Sequence, residues 1–125
     1  NSVDYNHFEY NQANRIKLRE QYKIGEKDFY MSQHGFARDM KFDIVKISER
    51  EHTYVLKYNE ETLKMYPYKF ELYVTYTIRN NSLTVTYRVN NVDDKEIYFA
   101  IGGHPAFSIN LKENRYKVEF DDITD

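Results

Sequence analysis

An all-β fold, an antiparallel β-sandwich, is the architecture this chain predicts, and three observations carry the prediction. Phe70, Leu72, Val74, Tyr76 and Ile78 alternate with Glu71, Tyr73, Thr75, Thr77 and Arg79. A period of two held over ten residues marks a strand with one face buried. Leu83, Val85, Tyr87 and Val89 then alternate with Thr84, Thr86 and Arg88, and Asn80-Asn81 between the runs tolerates the left-handed backbone of a tight turn. Short apolar runs separated by turn residues recur along the rest of the chain, with few helical signals.

Taken in order, residues 1–14 are polar with isolated aromatics at Tyr5, Phe8 and Tyr10. That pattern is open between a loop, a short edge strand and the remnant of an upstream piece. Residues 16–30 are charge-rich, with Gly25 as a turn. Phe42, Ile44 and the run from Val45 to Ile47 predict a strand, and the apolar stretch 54–58 predicts the next. The mixed-charge stretch Ser48-Glu49-Arg50-Glu51-His52 between them reads as a solvated loop. After the hairpin, residues 97–101, 107–111 and 116–120 predict further short strands. No internal repeat or low-complexity segment interrupts the chain.

The 125 residues suit a single domain, 1–125, long enough to bury a core. Hydrophobic residues are 41% of the chain, but 13 are Tyr and none is Trp, so the core is expected to be tyrosine-rich, with hydroxyls that need partners or water. An aromatic share of 17% suits a surface that meets a flat, partly apolar ligand, either a sugar ring or a protein partner. The net charge of -2, with Lys41, Lys46, Arg79 and Arg88 scattered rather than striped, gives no drive toward nucleic acid or an anionic membrane. Without cysteine there is no disulfide framework and no thiolate chemistry, which is compatible with the expected cytoplasmic location. No segment is long and apolar enough to span a bilayer. The start, Asn1-Ser2-Val3-Asp4, is no signal peptide and lacks an initiator Met, so the chain reads as a processed, trimmed or internal segment.

The most distinctive run is Ile101-Gly102-Gly103-His104-Pro105-Ala106-Phe107, which holds two of the four glycines and one of the two prolines. Paired glycines let backbone approach a neighbour or a ligand closely. Pro105 fixes its own φ and keeps His104 out of the helical region. A stiff bend that presents one imidazole suits a general acid or base. It equally suits a strand-terminating turn whose histidine caps a loop. A second segment, Gln33-His34-Gly35-Phe36-Ala37-Arg38, sets another histidine beside a glycine, with a cation four residues on.

Read together, His34-Gly35-Phe36-Ala37-Arg38 and Gly102-Gly103-His104-Pro105-Ala106-Phe107 resemble the signature pair of the aldose 1-epimerase (galactose mutarotase-like) family, LacX-type branch. Tyr66-Pro67-Tyr68-Lys69-Phe70-Glu71-Leu72 resembles that family's Tyr-Pro-aromatic strand start, and the hairpin up to Asn91 fits the same pattern. The resemblance runs from Arg15 to Leu111. It implies a galactose mutarotase-like supersandwich of which this chain is an incomplete, N-terminal to middle portion. A sandwich cut in this way leaves strand edges open, so self-association through them is expected.

The implied activity is the interconversion of α and β anomers of a free hexose such as galactose or glucose, with no metal or other cofactor. By resemblance, His104 matches the general acid acting on the ring oxygen, and His34 the histidine that contacts the ring oxygen and positions the sugar. Arg15 stands where the family has a substrate-binding arginine, although Asn14 replaces the usual preceding Gly and the usual Phe-Pro is missing. The implied base is a glutamate far downstream, and a substrate-binding aspartate lies downstream too. Glu113, Glu119, Asp121, Asp122 and Asp125 come too early for either role.

Blander roles stand beside these. His34 could bond within its own turn. Arg38 reads as structural, its fork tying a loop to carbonyls or to Asp39. Phe36 and Phe107 read as packing residues, either able to floor a sugar site. His7 and His52 read as surface histidines, and His34 with His104 falls short of a zinc ligand set. The alternatives to an enzyme are a non-catalytic carbohydrate-binding sandwich and a protein-interaction sandwich that binds by strand addition.

Overall fold

A computed structural model describes residues 21–113, 115–117 and 119. The expected all-β, antiparallel architecture is present as a two-stranded and a four-stranded sheet. Strands β1 (Gln21–Ile24) and β2 (Lys27–Tyr30) form a hairpin that turns at Gly25, where φ is 62°. A 3-10 turn, Ala37–Asp39, closes the first histidine segment. Strands β3 (Asp43–Ile47), β4 (Glu51–Lys57), β5 (Phe70–Arg79) and β6 (Ser82–Asn91) then make a meander in chain order.

The β5–β6 hairpin pairs Phe70 with Asn91 at one end and Arg79 with Ser82 at the other. Its turn places Asn80 at φ 53°, the left-handed conformation that asparagine accepts and that hairpin twist favours. Side chains divide between two faces as the alternation requires. One face carries Leu56, Phe70, Leu72, Val74 and Val89. The other carries Thr53, Thr75 and Thr86, with the Thr53 and Thr75 hydroxyls 2.9 Å apart. On that second face, where Val55 is also buried, the Arg88 guanidinium lies 4.3 Å from the centre of the Tyr73 ring.

The core occupies only part of the apolar face. Leu56, Phe70, Leu72 and Val74 are buried, with Phe36, Ala37, Met40, Phe42, Tyr66, Val89 and Ile97 packed on them. Beyond Val74 the face opens, and Tyr76, Ile78, Leu83, Val85 and Tyr87 are exposed. At the far edge of the sheet, β3 has a register shift between Ile44 and Lys46, leaving Val45 as a bulge. Bulges at sheet edges disturb the ladder and discourage pairing with another chain.

Several expectations need correction. Residues 60–65 form a helix, α1 (Glu60–Met65), capped by Asn59, whose side chain accepts from the Glu61 and Thr62 amides, while Thr62 Oγ1 accepts from the Asn59 amide. This reciprocal pairing satisfies amides that a short helix would otherwise leave exposed. Residues 97–101 and 107–111 do not form strands, and Leu111–Glu113 is a 3-10 turn. The apolar side chains of Tyr98, Phe99, Ile101, Phe107 and Ile109 are exposed, so no burial rewards an extended pairing there. Of the strand expected over 116–120, residues 116, 117 and 119 are irregular and the others lie outside the described residues. Glu51 and His52 belong to β4 rather than to a solvated loop, and His52 is half-buried, its Nδ1 3.4 Å from Tyr54 Oη. His7 lies outside the described residues.

Asp93 ties the far end of the hairpin to the start of β5. One carboxylate oxygen accepts from the Lys69 amide at 2.7 Å and the other from the Asp94 amide at 2.9 Å. The Lys69 hydrogen bond, above all, holds the Asp93 carboxyl below the ordinary aspartate range. The ionised form is thus the one that stabilises the fold. Its contribution is complete above the unfolded value of about 3.9 and is lost as pH falls through the lower folded value. Asp93→Asn is expected to flatten this part of the acid limb, as read by urea denaturation across the acid range. A wild-type acid profile in the variant would show that the bonds carry no linkage.

Candidate functional site

His34 is set by a turn of its own. The Gly35 amide donates to the Ser32 carbonyl at 2.9 Å, and Ser32 Oγ donates back to the Gly35 carbonyl at 2.7 Å. Gly35 closes this turn at φ 69°, where a side chain is disfavoured by backbone sterics. A Cβ there would meet only Met31 Sδ, at 3.9 Å, so the constraint is conformational rather than one of space. Gly35→Ala is expected to cost about 1–2 kcal/mol, measured by urea denaturation. Gly35→Asn, whose side chain accepts this conformation, is expected to recover most of that loss. Equal losses in the two variants would refute the backbone explanation.

The turn delivers His34 to a cavity of about 470 Å³ beside the core. Its wall includes Tyr22, Phe36, Tyr66, Phe70, Tyr98 and Gly102, so residues near both histidine motifs share one space. His34 is the one histidine in the lining among the described residues, and it is exposed. The tyrosine hydroxyls of the wall are engaged. Tyr22 Oη donates to the Met65 carbonyl, Tyr66 Oη to the Tyr98 carbonyl at 2.8 Å, and Tyr98 Oη to Glu96 Oε2 at 2.9 Å. Burial, with Tyr68 nearby, raises the pKa of Tyr22. Burial foremost, then Tyr68 and Tyr22, pushes Tyr66 up to about 12. For Tyr98 the hydrogen bond to Glu96 is the main cause of an upward shift.

The other expected site residues fall as follows. His104 is exposed and does not line the cavity, although Gly102, two residues before it, does. Gly103 supplies the close approach expected of the paired glycines, since a Cβ there would lie 3.3 Å from Tyr87 Oη. Arg38 sits on the 3-10 turn with its Nε 3.8 Å from Asp39 Oδ2 and its side chain largely exposed. Phe36 packs on Tyr66 and Phe70, with ring centres 6.2 and 5.9 Å away. Phe107, by contrast, is 72% exposed, so the packing role expected for it is not observed. Arg15 lies outside the described residues.

Among the described residues no three His, Asp or Glu groups gather to hold a metal ion, and no helix is long and apolar enough to cross a membrane. The part of the site that motif reading missed is the anchoring of the wall by Tyr22 and Tyr66. The Tyr66-Pro67-Tyr68 run was a visible signal, but nothing in it says where a hydroxyl will reach.

The family model for aldose 1-epimerase matches residues 8–125, farther in both directions than the motifs alone. The plasmid-encoded protein LacX of Lactococcus lactis subsp. lactis is 34% identical over 110 residues, which are 82% of this chain and 37% of that protein. Its chromosomal counterpart is 33% identical over the same share. The chain thus spans little more than a third of the length of these relatives. Among solved structures, a galactose mutarotase related enzyme from Lactobacillus acidophilus superposes with a TM-score of 0.62 at 38% identity, over 64% of this chain and 27% of that one. A galactose mutarotase-like protein from Lactobacillus casei gives 0.60 at 44% identity, over 62% and 26% of the two chains.

Proposed function

Because this chain belongs to the aldose 1-epimerase family, we propose that it contributes the acid side of a sugar mutarotase site acting on a free hexose. In that reaction a proton reaches the ring oxygen and another leaves the anomeric hydroxyl. The bond between the anomeric carbon and the ring oxygen breaks, giving the open-chain aldehyde. Rotation about the adjacent carbon–carbon bond and reclosure then yield the other anomer. His104 is proposed as the acid that protonates the ring oxygen, His34 as its partner in holding that oxygen, and Arg15 as a further substrate contact. None of Glu113, Glu119 or the terminal aspartates is proposed as the base. Its role falls to a carboxylate elsewhere in the protein.

The observation that supports this reading best is the shared cavity, with His34 and Gly102 in one aromatic wall. Aromatic faces suit the apolar face of a pyranose, and an imidazole at the rim suits proton transfer near neutral pH. Polarimetry of freshly dissolved α-galactose and α-glucose with the full-length protein tests the proposal. A faster approach to equilibrium is expected, and an unchanged rate for both sugars overturns it. The exposed position of His104, off the cavity lining, favours one second reading, a carbohydrate-binding sandwich without turnover. In that case sugar would shift the ring signals of His34 and His104 in NMR spectra while the mutarotation rate stayed at its background.

A further inference from the structure

The two histidine motifs are seventy residues apart in sequence, and the second lies in a stretch with no strand ladder from residue 97 to 110. Something other than sheet pairing must therefore set that stretch relative to His34. Tyr66 is placed to do so. Its own backbone is fastened at the end of α1, where its amide donates to the Thr62 carbonyl at 2.7 Å. Its carbonyl accepts from the amide of the buried Tyr68 at 2.8 Å. The ring packs on Tyr68 and Phe70, with centres 5.0 and 5.6 Å apart, so its direction is set by the core.

From that base it reaches both motifs. Its ring meets Phe36, two residues beyond His34, at 6.2 Å and 41°. Its hydroxyl donates to the Tyr98 carbonyl at 2.8 Å, six residues before His104. We propose that Tyr66 is a positioning residue of the sugar site, seating the His34 segment through Phe36 and tethering the His104 segment through the Tyr98 carbonyl. The catalytic part of this inference rests on the mutarotase reading above.

The physics is that of a weak tether on a segment without a strand ladder. One hydrogen bond contributes about 1 kcal/mol, enough to select one arrangement of a stretch that has no ladder to hold it. A misplacement of about 1 Å in a reacting group lowers a rate by roughly 100-fold. A tyrosine phenol titrates near 10 and burial pushes this one higher, so the hydroxyl remains a donor at neutral and mildly alkaline pH.

Tyr66→Phe in the full-length protein removes the hydroxyl and keeps the ring. Two readouts are needed. In NMR spectra, the amide signals of residues 99–103 are expected to move while those of β5 stay. In polarimetry, kcat is expected to fall about 10- to 100-fold with KM little changed, since the sugar contacts remain while the acid is misplaced. Unmoved amide signals overturn the tether whatever the activity. Moved signals with a wild-type kcat overturn the positioning role. A loss that merely tracks the unfolded fraction, with normal kcat per folded molecule, overturns it as well. If the wild-type protein proves inactive on both sugars, the mutarotase reading and the catalytic half of this proposal fail together, and the NMR result alone decides the tether.

Discussion

His104→Asn is expected to slow mutarotation by about 10²–10⁴-fold, the usual contribution of a well-placed acid or base. Asparagine keeps a hydrogen-bonding side chain of similar reach but cannot carry a proton to an oxygen at neutral pH. Stability is expected to stay within about 0.5 kcal/mol of wild type, because His104 is exposed and outside the core. The comparison therefore separates chemistry from folding. Polarimetry that shows the same rate for both proteins, with matched melting curves, would remove His104 from the acid role. A parallel His34→Asn variant is expected to raise KM as well as lower kcat, since that residue is assigned to holding the sugar.

Phe70→Ala is expected to cost about 3–5 kcal/mol in unfolding free energy, near the upper range for a single core truncation. Phe70 is 5% exposed and sits with Leu56, Leu72 and Val74 in the core. Its ring also supports Phe36 and Tyr66, so the vacated space borders a cavity wall that is anchored elsewhere and cannot close in. Ile78→Ala lies on the same face of the same strand, but Ile78 is 53% exposed, and the expected change is within about 0.5 kcal/mol. Urea denaturation of the pair measures the contrast. Similar losses would mean that the outer half of the face is covered in solution.

The β5–β6 hairpin was legible in the sequence because both runs keep strict alternation and the turn carries asparagine where left-handed backbone is needed. The β3 and β4 strands were legible in outline. The start of β4 was obscured by the polar residues Glu51 and His52, the first of which pairs with Lys46 of β3 at 2.6 Å. Helix α1 was hidden by its length, since six residues are too few for an apolar period to repeat. Its signal was the cap, Asn59 with Thr62 three residues on. The strands expected over 97–101 and 107–111 illustrate the opposite error. Apolar residues such as Phe99, Ile101 and Phe107 satisfy a strand propensity, but a strand also needs a neighbour to take its amides and carbonyls. The histidine motifs identified residues and family, whereas the cavity they share depends on contacts between distant parts of the chain, such as Tyr66 with Tyr98.

A single residue inserted midway along β5 would turn every side chain beyond it to the opposite face. Thr75 and Thr77 would face the apolar side, and Tyr76 and Ile78 would join the threonines. Two inserted residues would restore the alternation. The hairpin therefore accepts changes of length in steps of two, or of one only where a bulge absorbs the extra residue, as Val45 does in β3. No such parity governs the ladder-free stretch after β6. Between Asp94 and Tyr98 the chain can change length by odd or even steps alike, provided the Tyr98 carbonyl stays within reach of Tyr66, whereas the six residues from Tyr98 to His104 are held to their number by the tether.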